Sequence, residues 1–181
     1  MIPRTPIAEI AKLIGRELES GAAPSEGALA TGPMLAEAGA TKEIAERLFA
    51  EAHRKRPNYR MIEAYAFMLE GALGTLRLQA NGGDVDAEHA IDEVRNRVDQ
   101  AVGRSDLAPE VLMLLARAFA RAELDPGRSV QHAMVNAIEE QSRSGATVLS
   151  PEDLSAHFAE LALASTLVVD FRVDPQRRAA V

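Results

Sequence analysis

Three features predict an all-α protein: the abundance of alanine, apolar residues recurring at helical spacing, and the lack of any alternating run long enough for a strand. Alanine occurs 33 times in 181 residues, and it enters a helix at the lowest entropic cost of any side chain. The nearest approaches to strands, Thr147-Val148-Leu149 and Val168-Val169, are too short to build a sheet. The expected architecture is one domain over residues 1–181, a bundle of six to eight helices around a long central helix at 58–80. Within it we expect an N-terminal helix at 6–20, a flexible loop at 21–33, a helical core at 34–170 and a tail at 171–181.

Each element has a local reason. Thr5-Pro6 is a helix start, and Ile7, Ile10, Leu13, Ile14 and Leu18 follow on one face until Gly21. Residues 21–33 hold three glycines and two prolines, the composition of a loop. Thr41 reads as the cap of a helix reaching about Lys55, and Pro57 disfavours helical geometry at Arg56. In the central segment, Arg60, Glu63, Glu70, Gly74 and Arg77 share one arc while almost everything else is apolar, so neighbours must surround it. Gly71, Ala72 and Gly74 are expected to admit a close neighbour. Asp84 or Asp86 opens the next helix, with Ala90, Ile91, Val94, Val98, Ala101 and Val102 as its apolar face and Gly103 as its end. Pro109 starts another, and after Leu124-Asp125-Pro126-Gly127 a further helix runs to Gly145. Ser150-Pro151-Glu152-Asp153 opens a last one, expected to reach about Asp170.

Composition removes several chemistries. With no cysteine there is no thiol nucleophile, iron–sulfur cluster or cysteine zinc site. The longest apolar stretch, 61–80, is interrupted by Glu63, Glu70 and Arg77, each costly at mid-bilayer, so no membrane span is expected. Glu9, Glu17 and Glu19 spoil any leader peptide, which makes the cytoplasm the expected location. The 17 arginines against three lysines are the bias of a high-GC bacterial genome. Net charge is −7 and unevenly placed: residues 1–60 carry 9 basic and 8 acidic side chains, residues 61–181 carry 11 and 19. An acidic body repels phosphate backbones, leaving only the run from His53 to Arg60 locally basic.

Motifs for catalysis are absent: there is no G-x-S-x-G, Walker loop or G-x-G-x-x-G. The four histidines, His53, His89, His132 and His157, fall on four predicted helices without a Glu-x-x-His pair, so no metal site and no cofactor are expected. Glu63 and Glu70, a heptad apart, would be the acids of a pocket in an enzyme. The preferred reading makes them a solvent stripe balanced by Arg60 and Arg77. Residues 34–49 can be laid on a helix-turn-helix, with Met34, Gly39, Ala45 and Leu48 at its structural positions. In that case Lys42 and Arg47 face DNA, while Arg54, Lys55, Arg56 and Arg60 meet its backbone; Leu35, Glu43 and Glu46 fit poorly. The hairpin at 110–141 lacks the aromatic anchors and the second copy of a tetratricopeptide array.

The leading expectation is a non-enzymatic protein that acts through helix-surface contact with a protein partner or with itself, as a homo-oligomer. A DNA-binding regulator using 34–60 is the alternative, and a metal- or small-molecule-dependent helical enzyme using Glu63 and Glu70 a further one.

Overall fold

The computed structural model describes residues 7–20, 26–104 and 107–144. Among them are seven helices and no strand: α1 (Ile7–Glu19), α2 (Glu26–Glu37), α3 (Thr41–Ala52), α4 (Tyr59–Asn81), α5 (Val85–Val102), α6 (Pro109–Arg121) and α7 (Arg128–Ser144). The bundle around a central helix is as the apolar periodicity predicts. α4 packs against α1, α2, α3, α5 and α6, while α7 is held by α5 and α6. The helix expected at about 151–170 and the tail lie outside the described residues.

The buried faces follow the spacing, except that Leu13, expected on the apolar face of α1, is 59% exposed. Ile7, Ala11, Ile14 and Leu18 bury one side of α1; Ile44, Ala45, Leu48 and Phe49 bury one side of α3; Ile91, Val94 and Val98 do so on α5. α4 is buried nearly all round between Ile62 and Leu76. Asn58 caps α4 by accepting from the backbone N–H groups of Arg60 and Met61, and Asp84 caps α5 through those of Asp86 and Ala87.

Residues 26–33, expected to be loop, are helical and form the first two turns of α2, with Pro33 inside the helix. The correction has a tertiary cause. Gly32 of α2 meets Gly71 of α4 backbone to backbone: a Cβ placed on Gly32 would lie 2.5 Å from the Ala72 nitrogen and 2.6 Å from the Met68 oxygen. A Cβ on Gly71 would overlap the Leu29 carbonyl oxygen. The two glycines therefore present Cα–H groups to main-chain oxygens of the facing helix, an arrangement that recurs where helices cross closely. Pro33 has no N–H to give to the carbonyl of Leu29, its acceptor four residues back. That same carbonyl points at Gly71, so the defect in α2 faces the helix that accommodates it. Gly74, expected to share this role, has open space beside it.

The turn after α2 is built by the backbone. Gly39 adopts φ 68°, with its N–H donating to the Ala36 carbonyl and the Ala40 N–H to that of Leu35, a Schellman turn. Ala40 consequently becomes the N-cap of α3 without a side-chain bond, and Thr41 is a buried first helical residue rather than the cap expected of it. α6 ends in the same pattern, with the Leu124 N–H donating to the Phe119 carbonyl, but the left-handed position is Glu123 at φ 55°.

Two outcomes follow for unfolding measured by urea or heat. Gly32→Ala and Gly71→Ala each lower stability by about 3 kcal/mol, because backbone cannot yield to the added methyl, whereas Gly74→Ala is neutral or raises it by up to about 1 kcal/mol. Glu123→Gly raises stability by about 0.5–1 kcal/mol by relieving the left-handed strain of a side-chain-bearing residue.

Candidate functional site

Three places hold the residues that the sequence singles out: the middle of α4, the outer face of α3, and the α3–α4 corner. In the middle of α4, Glu63 and Glu70 are not brought together. Glu63 is partly exposed and receives Arg60 Nη1 at 3.2 Å on the same helix. Glu70 is buried, and its Oε2 lies 3.6 Å from Nε of Arg117 on α6. The guanidinium of Arg117 also sits over the Phe67 ring, 4.4 Å from its centroid. The solvent stripe expected along α4 thus stops short of Glu70, which ties α4 to α6 in a largely dry setting. A buried carboxylate there requires a cation, and one stacked on an aromatic face serves both charge and packing.

Arg117 is the residue that sequence reasoning missed. Its signal is a cation on the apolar side of α6, between the buried pairs Leu115, Ala116 and Ala118, Phe119. A helix that buries a charge there must supply its partner from a neighbour.

On α3, Lys42 and Arg47 are exposed, but so are Glu43 and Glu46. Arg47 Nη2 bonds Glu43 Oε1 at 3.2 Å, and Glu46 Oε1 lies 3.4 Å from Nε of Arg97 on α5, whose guanidinium stands over the Phe49 ring. α2 and α3 make few contacts with each other and instead pack on α4. Met34 is 62% exposed, so it does not serve as a structural position of a helix-turn-helix, whereas Ala45 and Leu48 are buried.

The corner is organised by Glu51, buried although charged. Its carboxylate accepts the Asn58 N–H at 3.2 Å and Arg54 Nη1 at 3.2 Å, which clamps the end of α3 to the start of α4. His53 closes α3 from outside, donating from Nδ1 to the Phe49 carbonyl at 2.7 Å. Tyr65, buried beneath this corner, has its phenol pushed above the ordinary value of 10.0, chiefly by burial and in lesser part by Glu51 and Glu43 against the opposing pull of Arg47 and Arg54. Of the six cations proposed for a nucleic-acid contact, Arg47, Arg54 and Arg60 are engaged by carboxylates. Lys42, Lys55 and Arg56 are exposed and form no ion pair among the described residues.

His89 and His132 are exposed on α5 and α7; His157 lies outside the described residues. Among the described residues no three histidine, aspartate or glutamate side chains gather where they would hold a metal ion. No described helix is long and apolar enough to cross a membrane.

The family described as "Uncharacterised protein y4lR N-terminal domain" matches residues 19–127. The chain belongs to that family. Its matched span holds α2 to α6 and therefore both the Gly32–Gly71 crossing and the Glu70–Arg117 pair. No curated protein and no solved structure matches the chain.

Replacing one member of the buried pair takes the facing opposite charge away from the other. Arg117→Met lowers unfolding stability by about 3 kcal/mol, and adding Glu70→Leu restores most of the loss; a double mutant no better than the single one contradicts the pairing.

Proposed function

We propose that this protein works by helix-surface contact, as a self-associating adaptor, regulator or complex subunit, and not by catalysis at α4. The observation that carries this reading is the division of labour among its side chains. The acids best placed for chemistry are spent on structure, Glu70 on Arg117 and Glu51 on the Asn58 N–H. Meanwhile large apolar side chains stand in solvent, Leu78 at 73% and Val85 at 58% exposure on either side of one turn. Two such side chains flanking one turn are a reason for association that single scattered ones are not.

A second reading, a DNA-binding regulator, is favoured by one feature: the left-handed Gly39 that joins α2 to α3, with Lys42 and Arg47 outward. The engaged arginines and the exposed Glu43 and Glu46 weigh against it, since duplex phosphates repel carboxylates on the presenting face.

Light scattering across a concentration series tests the leading reading. The expected mass rises above that of one chain as concentration increases; a constant monomer mass up to millimolar protein overturns it. A gel-shift series in NaCl addresses the second, for which binding must fall steeply with salt.

A further inference from the structure

The two ends of α4 differ in charge and both carry exposed apolar side chains. At its N-terminal end, Lys55 and Arg56 are exposed without ion pairs among the described residues, beside Tyr59 at 47% exposure. At its C-terminal end, Leu78 and Val85 flank the turn into α5, and the exposed Asp86 and Glu88 follow in the first turn of that helix. The 23 residues of α4 hold these ends about 34 Å apart, at 1.5 Å per residue.

We propose that a second copy of this chain docks head to tail, its Lys55–Arg56–Tyr59 end seated on the Leu78, Val85, Asp86 and Glu88 end of the first. Charge complementarity selects this occupant. Pairing like ends would bring Lys55 and Arg56 against their own copies, or Asp86 and Glu88 against theirs, and like-charge juxtaposition is penalised. Pairing unlike ends sets cations against carboxylates around an apolar centre formed by Tyr59 and the Leu78–Val85 pair, the polar rim and apolar core of a protein contact. Because the two surfaces lie at opposite ends of α4, a docked pair leaves one end of each kind unused. Such a heterologous contact builds open chains or closed rings instead of stopping at a two-fold dimer.

This inference rests on the self-association reading, and the experiment separates their failures. Two variants of the full chain, Lys55→Glu/Arg56→Glu and Asp86→Lys/Glu88→Lys, change only exposed side chains, and circular dichroism checks that each remains helical. In sedimentation at concentrations where the unaltered chain associates, each variant alone should associate about tenfold more weakly or worse, since the reversed end now repels its counterpart. Mixing the two variants in equal amounts should restore association, because each keeps the end that the other has lost. Variants that associate as well as the unaltered chain overturn the head-to-tail contact but leave self-association standing, as does a mixture that remains monomeric. An unaltered chain that stays monomeric overturns both, including the case in which it retains DNA through Lys55 and Arg56 instead.

Discussion

The separation of α2 from α4 is fixed by two glycines in contact, and the rest of the bundle is arranged around that crossing. With Gly32 against Gly71, main chain lies on main chain. No side chain stands between the two helices to absorb a change. Elsewhere α4 is buried through bulky side chains, Ile62, Leu69, Leu73 and Leu76 among them, which hold a neighbour further off than a glycine does. The crossing at Gly32 and Gly71 is therefore a close approach that such side chains would not admit. α2 itself, with Gly32 and Pro33 within 12 residues, is a poor helix by propensity, and its short length makes it dependent on that contact.

This dependence explains which parts of the fold the sequence discloses. α4, α5 and α6 are legible because their apolar residues recur at the helical period over three or more turns, and burial follows the pattern almost residue by residue. α2 is not. Glycine and proline are read as breakers because locally they are, but at a close crossing the missing side chain is what permits the contact. Gly74 shows the limit of the converse reasoning: it sits on the same helix as Gly71, one turn on, and nothing approaches it. Thr41 fails as a cap for a related reason. The preceding turn is completed by backbone bonds around Gly39, which leaves the Thr41 hydroxyl inside the helix.

The polar interior was half legible. An arc on a helical wheel places Glu63 and Glu70 on the same side, yet it cannot tell solvent from a neighbouring helix. Arg60 answers Glu63 from one turn away, a relation visible in the spacing. Arg117 answers Glu70 from α6, and no local spacing connects them. The same blindness affected the cations of α3 and the corner. Counting Arg47, Arg54 and Arg60 as available charge overlooks that each has a glutamate three or four residues away on the same chain.

These pairings decide what the surface can express. The Glu51 carboxylate, committed to an N–H and a guanidinium, is spent on the α3–α4 corner and not offered to the surface. Among the described residues, exposed charges of opposite sign stand at the two ends of the long helix, about 34 Å apart, several times the roughly 8 Å screening length of physiological salt. Over that distance the two ends neither neutralise one another nor compete for one approaching body. Each is felt separately, as a cationic and an anionic end of α4.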